Sequence, residues 1–194
     1  MLGHARQKEL FNLPNSLTLF RIVCIPLVVF CLAYEGRWPS FLAALFFGAA
    51  FTTDALDGFY ARKYGWVTTL GKFLDPLADK ILVSVTLIML VSVGRVPAWM
   101  VMFIIAREIA VTGLRSIAAS EGVVIQASAL GKYKTGFQSS SIIALCLHYD
   151  YLTIDFHLVG TVLLWLALGF TLWSGWAYFS WFRRIFLPKP DADR

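Results

Sequence analysis

Four aspartates stand close together in this sequence, between two apolar runs: Asp54 and Asp57, then Asp75 and Asp79. They are four of only 12 acidic residues in the chain, and all four fall within 26 positions. The pairs are spaced i,i+3 and i,i+4, so on a helix each pair lies on one face. A charged residue within an apolar span costs about 2.5–3.5 kcal/mol on insertion scales, which marks such residues as candidates for a functional site.

The two pairs are also predicted to lie at one depth. Apolar runs of 13 residues, 41–53 and 81–93, separate them from the neighbouring connections. At about 1.5 Å per residue, each run covers about 20 Å of a hydrocarbon core about 30 Å thick. Four carboxylates gathered there repel one another unless cations are present, and two hard divalent ions, Mg²⁺ or Mn²⁺, suit their oxygen ligands. The alternative is that the acids pair with Arg62, Lys72 and Lys80 as structural ion pairs.

The elements that position these residues are predicted to be membrane-spanning helices. Hydrophobic residues make up 58% of the 194 positions and charged residues 15%, whereas soluble domains have about 45–50% and about 25%. This composition excludes a soluble globule, a nucleic-acid module and a disordered chain. A span needs about 20 apolar residues, and six stretches come close: 17–34, 40–61, 72–93, 97–119, 129–149 and 157–182.

The fold class is therefore an all-α integral membrane protein with six transmembrane helices in a single domain, 1–194. We expect a short interfacial segment at 1–16, the six-helix core at 17–182 and a tail at 183–194. Lysines and arginines concentrate at both termini and in the second and fourth connections, so the positive-inside rule predicts cytoplasmic termini. The acid pairs then face the cytoplasm. The three cysteines, Cys24, Cys31 and Cys146, lie in apolar runs and are predicted to be small core residues.

The aspartates belong to a longer pattern, Asp54-x2-Asp57-Gly58-x2-Ala61-Arg62-x8-Gly71-x3-Asp75-x3-Asp79, which resembles the signature of the CDP-alcohol phosphatidyltransferases. Three further segments are similar to motifs of the bacterial subfamily that uses sn-glycerol 3-phosphate: Asn12 to Thr18 with Arg21, Ala106-Arg107-Glu108 with Gly113-Leu114-Arg115, and Gly131 to Thr135. The resemblance therefore extends over nearly the whole chain.

The resemblance implies a reaction in which the hydroxyl of an acceptor alcohol attacks the β-phosphorus of CDP-diacylglycerol and CMP departs. It implies that Asp54, Asp57 and Asp75 bind two Mg²⁺ or Mn²⁺ ions, and that Asp79 is both a ligand and the general base. It assigns donor binding to Pro14, Asn15, Ser16, Leu17, Gly58, Ala61, Arg62, Thr68 and Gly71. It also implies a homodimer, surrounded by lipid, in the bacterial inner membrane.

Four cations in the fourth and fifth spans bear on the acceptor: Arg107, Arg115, Lys132 and Lys134. A cationic pocket suits a phosphorylated acceptor such as sn-glycerol 3-phosphate. Inositol phosphate is also anionic, so charge alone does not distinguish it from sn-glycerol 3-phosphate as the acceptor. The alternative is that Arg107 forms a local ion pair with Glu108, and that Lys132 and Lys134 are only basic residues that flank a span on its cytoplasmic side.

Two other classes of protein also have acids in membrane helices. An intramembrane prenyltransferase uses Asp-x-x-Asp pairs with Mg²⁺, but it leaves Gly58, Ala61, Arg62 and Gly71 unexplained. A non-enzymatic cation transporter often shows paired repeats, and no internal repeat is visible in this sequence. The residues therefore favour a phosphatidyltransferase over both.

Overall fold

The computed structural model describes residues 13–64, 69–121 and 129–186. Within these ranges only the helical backbone, and not the side chain, is described for 13–17, 54–64, 69–76, 129–130, 132, 181–182 and 184–186. The elements are α1 Leu13–Ala33, α2 Arg37–Tyr64, α3 Thr69–Ser92, α4 Ala98–Ser120, α5 Ala129–Leu147, β1 Asp150–Tyr151, β2 Ile154–Asp155 and α6 Phe156–Phe186. The protein is thus all-helical apart from one short strand pair.

The six helices match the six apolar stretches to within four residues at each boundary, and the largest differences fall at the two ends of the chain. Helix α1 begins at Leu13, four residues before the expected span, and α6 ends at Phe186, four residues after the expected limit. Pro14 is compatible with the first turn of α1, since the N–H that proline lacks has no helical partner there. The expected interfacial segment up to residue 12, and the tail from 187, lie outside the described residues.

Among the described residues, one helix, Phe156–Ser180, is long and apolar enough to cross a membrane, and Thr18–Ala33 is apolar but shorter. The number of spans therefore stays a prediction. The distribution of side chains nonetheless favours an apolar environment, because all six helices carry large exposed apolar residues, Trp176 among them at 73% exposure. Polar side chains such as Arg21 and Ser141 are fully buried. Large exposed apolar side chains together with fully buried polar ones are unusual in a soluble protein.

The tightest packing of two helices that the structure describes joins α5 to α6 at Gly160. A Cβ atom at this position would lie 2.7 Å from Leu145 Cγ and 2.9 Å from the Leu145 backbone nitrogen. Beside it, Ser141 Oγ donates a hydrogen bond to the Gly160 carbonyl oxygen at 2.8 Å. Glycine therefore permits the close approach of the two helices that carry much of the site described below.

The core fills the space between the helices. Helix α1 packs on α2 and α3, α2 on α5, and α4 on both α3 and α6. The buried core includes Cys24, Phe47, Leu87 and Leu145, all fully enclosed. Cys24, Cys31 and Cys146 are free and buried, which confirms their predicted place as small core residues.

Arg95 ties three elements together at the end of the bundle that carries the strand pair. Its guanidinium donates hydrogen bonds to the carbonyl oxygens of Leu145 at 3.2 Å and Cys146 at 2.8 Å, and to Ser40 Oγ at 2.8 Å. These contacts join the turn after α3 to the end of α5 and the start of α2. The last carbonyls of a helix have no partner within the helix, and Arg95 satisfies two of them.

The antiparallel strand pair follows α5 and was not predicted from the sequence, which indicated only a polar connection at 150–155. Asp150 pairs with Asp155 and Tyr151 with Ile154. The two residues between the strands, Leu152 and Thr153, have φ values of 51° and 69°. A two-residue hairpin needs such values, and glycine or asparagine usually provides them. The usual sequence signal was therefore missing.

The two described histidines, His148 and His157, contact each other at this same end, with their Nδ1 atoms 3.2 Å apart. Both residues lie outside the group of charged residues that forms the candidate site.

Candidate active site

A pocket opens between α3, α4 and α5. Its wall is formed by Asp79, Lys80, Val83, Ser84, Glu108, Lys134, Thr135, Gln138 and Ser139. Helical spacing explains the membership, since Asp79 and Val83, and likewise Lys134 and Gln138, are four residues apart and share a face. One predicted acid and one predicted cation therefore line the same cavity.

Glu108 is the counter-ion of two cations in this pocket. Its Oε1 atom forms an ion pair with Lys134 Nζ and accepts a hydrogen bond from Arg107 Nη1 at 3.3 Å. Lys134 is only 3% exposed, and a buried charge requires an opposite charge or hydrogen bonds close by. Lys134 is thus part of the pocket wall and not a flanking charge at the end of a span. The expected local pair between Arg107 and Glu108 is also present.

Further charges surround this pair. Lys80 Nζ donates to Thr112 Oγ1 at 2.6 Å, and Thr112 Oγ1 donates to the Glu108 carbonyl oxygen at 2.7 Å. Asp79 is close enough to interact electrostatically with both Lys80 and Lys134. Arg115 interacts in the same way with Lys80 and Arg107. Among the side chains that the structure describes, the site therefore collects four cations and two carboxylates: Lys80, Arg107, Arg115 and Lys134 with Asp79 and Glu108.

Helix α6 holds Arg107 in place. Arg107 Nη2 donates to Ser174 Oγ at 2.7 Å, and the guanidinium carbon lies 5.8 Å from the centre of the Tyr178 ring. A Cβ atom at Gly175 would lie 3.3 Å from Arg107 Cγ, so the glycine leaves room for the arginine stem. Arg107 Nε is buried and has no hydrogen-bond partner among the described residues. This N–H is free to donate to an anion.

The predicted metal ligands lie on two described helices, with Asp54 and Asp57 in α2 and Asp75 and Asp79 in α3. Since both stretches are helical, each pair shares a face as its spacing predicts. Only the side chain of Asp79 is described, and it is half-buried. In the part of the chain whose side chains are described, no three histidine, cysteine or carboxylate groups cluster. Four carboxylates on two helices suit a hard divalent cation, so this donor set fits Mg²⁺ or Mn²⁺.

Most of the predicted donor-binding residues carry no described side chain. The backbone is helical at Pro14, Asn15, Ser16 and Leu17 in α1, at Gly58, Ala61 and Arg62 in α2, and at Gly71 in α3. Thr68 lies outside the described residues altogether. Lys132 is on α5, and its side chain is likewise not described. The binding roles of all these residues stay predictions.

Three residues of the site were not predicted from the sequence: Lys80, Gln138 and Ser174. Lys80 was considered only as an ion-pair partner for the aspartates. Gln138 begins a polar run, Gln138-Ser139-Ser140-Ser141, inside an apolar stretch, and this run was the available signal. Ser174 gave no signal, because a serine in a membrane helix commonly bonds to its own backbone.

The protein is all-helical and buries a group of charged side chains between its helices, and the comparisons define its class. The family model for CDP-alcohol phosphatidyltransferase matches residues 11–173. The chain belongs to this family.

Several curated relatives carry the name CDP-diacylglycerol–glycerol-3-phosphate 3-phosphatidyltransferase. The chain is 46% identical to the protein from Bacillus subtilis (strain 168) over 187 residues, which cover 88% of this chain and 95% of the relative. It is 39% identical to the protein from Rickettsia bellii (strain RML369-C), over 90% of this chain and 97% of the relative. It is 37% identical to the protein from Shigella flexneri serotype 5b (strain 8401), over 88% and 94%.

Proposed function

We propose that this protein transfers the phosphatidyl group of CDP-diacylglycerol to sn-glycerol 3-phosphate, giving phosphatidylglycerophosphate and CMP. The name shared by its relatives supports the reaction. The observation that carries the choice of acceptor is the buried cationic pocket, in which Lys134 and Arg107 meet at Glu108 beside Asp79.

The acceptor's phosphate binds to these cations. Arg107 offers a buried N–H that no described residue accepts, and Ser174 fixes the orientation of its planar fork. Charge-assisted hydrogen bonds to phosphate are among the strongest in proteins, and the Nε–H group of Arg107 is placed to donate one. Arg115, Lys80 and the predicted Lys132 add positive charge nearby. A neutral acceptor alcohol carries no negative charge for these cations to bind.

Asp79 acts on the acceptor hydroxyl in our proposal. The hydroxyl oxygen forms a bond to the β-phosphorus, the bond from that phosphorus to the bridging oxygen of CMP breaks, and CMP leaves with the electron pair. The hydroxyl proton passes to the Asp79 carboxylate. Divalent ions held by Asp54, Asp57, Asp75 and Asp79 would stabilise the charge on the entering and leaving oxygens.

The donor binds along α2 and the start of α1 in this proposal. Gly58, Ala61 and Gly71 are small enough to let the cytidine diphosphate approach the helix backbone, and Arg62 suits its phosphates. Pro14 to Leu17 and Thr68 complete the donor site, as the family resemblance implies. We also propose that the protein crosses the bacterial inner membrane six times as a homodimer, with the site open to the cytoplasm. The positive-inside pattern and the exposed apolar side chains support this placement.

An inositol phosphate acceptor is the second candidate within the family, because the same cations bind its phosphate. Its six-membered ring is bulkier than the three-carbon chain of glycerol phosphate. The name shared by the relatives favours glycerol phosphate.

The test is an acceptor panel with the purified protein in detergent or liposomes. CDP-diacylglycerol and Mg²⁺ are supplied with sn-glycerol 3-phosphate, inositol phosphate, serine or no acceptor, and CMP and lipid product are both quantified. We expect product only with sn-glycerol 3-phosphate. Product with inositol phosphate or serine alone contradicts the proposed acceptor, and failure to release CMP with any acceptor contradicts the proposed reaction class.

A further inference from the structure

Gln138 is the one buried pocket side chain, among those the structure describes, whose amide makes no hydrogen bond. It is 4% exposed on α5 and lines the pocket with Asp79 and Lys134. Its Oε1 atom is fully enclosed and has no partner among the described residues. An unpaired buried acceptor costs about 1–3 kcal/mol, so this oxygen is expected to meet a donor during function.

The surrounding groups limit what that donor is. Lys134 Nζ, the nearest cation on the same helix face, is already paired with Glu108. Lys80 Nζ, also in the pocket wall, is directed to Thr112. A neutral amide oxygen in a pocket of charged groups best accepts from a neutral hydroxyl, because a cation there would favour the two carboxylates instead.

The position of Gln138 fits a hydroxyl of the acceptor. Gln138 is four residues beyond Lys134, which is about 6 Å along the helix axis. A three-carbon phosphate with its phosphoryl group at Lys134 and Arg107 reaches about that far. Glycerol phosphate has two hydroxyl groups, and Asp79 takes the proton of only one. The other hydroxyl group still needs a hydrogen-bond partner in the protein.

We infer, on the basis of the proposed function, that Gln138 Oε1 accepts a hydrogen bond from the non-reacting hydroxyl of the acceptor. Gln138 is then a specificity residue. It selects phosphorylated alcohols that carry a second hydroxyl and leaves binding of CDP-diacylglycerol untouched.

The experiment compares two acceptors, sn-glycerol 3-phosphate and 3-hydroxypropyl phosphate, which keeps the phosphate and the terminal hydroxyl but lacks the middle one. For a hydrogen bond of about 0.5–1.5 kcal/mol, wild-type protein prefers glycerol phosphate by roughly 2- to 10-fold in kcat/KM. Gln138→Leu removes this preference: kcat/KM falls for glycerol phosphate and stays constant for the analogue. The KM for CDP-diacylglycerol does not change in this variant.

Two further variants keep the test decisive. Gln138→Glu retains an acceptor oxygen, so it should keep the preference ratio even where its added charge weakens binding of both acceptors. Ser140→Ala, on the exposed side of the same helix, should match wild type in every parameter. If Gln138→Leu is poorly folded, Gln138→Met, which is similar in length to glutamine and also lacks an acceptor oxygen, takes its place.

The results separate this inference from the proposed function. An unchanged preference in Gln138→Leu, or a lost preference in Gln138→Glu, overturns the role of Gln138 while the reaction itself stands. Absence of product from wild-type protein with either acceptor overturns the proposed function.

Discussion

Replacing Gly160 by alanine tests the packing of α5 on α6 that places Lys134 and Gln138. The new Cβ would lie 2.9 Å from the Leu145 backbone nitrogen and 2.7 Å from its Cγ. A backbone atom has little room to yield, so the helices must move apart and strain the hydrogen bond from Ser141 to Gly160. Overpacking of this kind costs about 1–3 kcal/mol.

Gly169→Ala on the same helix is the matched control, because a Cβ there meets nothing within 4 Å. Both variants gain the same helix propensity from alanine, about 0.8–1 kcal/mol, so the difference between them isolates the steric effect. For a chain of this size, about 2–4 °C per kcal/mol predicts that Gly160→Ala melts roughly 2–12 °C below Gly169→Ala. The assay is thermal unfolding of the purified proteins in one detergent. Equal melting temperatures would refute the packing argument.

Three further predictions concern the site. Arg115→Ala should raise the KM for glycerol phosphate at least about 10-fold, because it removes a charged contact worth about 1.5–3 kcal/mol. The KM for CDP-diacylglycerol should change little. Steady-state kinetics with each substrate varied in turn checks this prediction, and equal effects on both KM values reject it. Ser174→Ala frees one side of Arg107 and should raise the acceptor KM by about 2- to 10-fold, whereas Ser180→Ala, whose hydroxyl bonds only to its own helix, should behave as wild type. Asp79→Asn should abolish turnover, and chelation of divalent ions should do the same in wild type until Mg²⁺ is restored; near-normal turnover by the asparagine variant would exclude Asp79 as the base.

Much of the fold was predictable because long apolar runs bounded by turn residues predict where helices begin and end. The connection at 94–97 contains Gly94 and Pro97, and the helix boundaries there lie within two residues of the prediction. The strand pair after α5 was not predictable, since Leu152 and Thr153 adopt positive φ without the usual glycine or asparagine.

The features of the site likewise divide into those that the sequence predicted and those that it did not. Asp79, Arg107 and Lys134 were predicted, because a charge inside an apolar stretch is conspicuous in any sequence. The pairing of cations with one shared carboxylate was not predicted. Glu108 contacts Lys134 across two helices, and no spacing along the chain indicates that contact. The contact of Ser174 with Arg107 was not predictable for the same reason, since it joins α6 to α4.

The central claim is that the buried cations select a phosphorylated acceptor for phosphatidyl transfer. The most direct measurement is CMP release from CDP-diacylglycerol and Mg²⁺ by the purified protein, with sn-glycerol 3-phosphate in one reaction and glycerol at equal concentration in the other. We predict CMP and phosphatidylglycerophosphate in the first reaction and neither CMP nor a lipid product in the second. Equal turnover with glycerol would contradict the account.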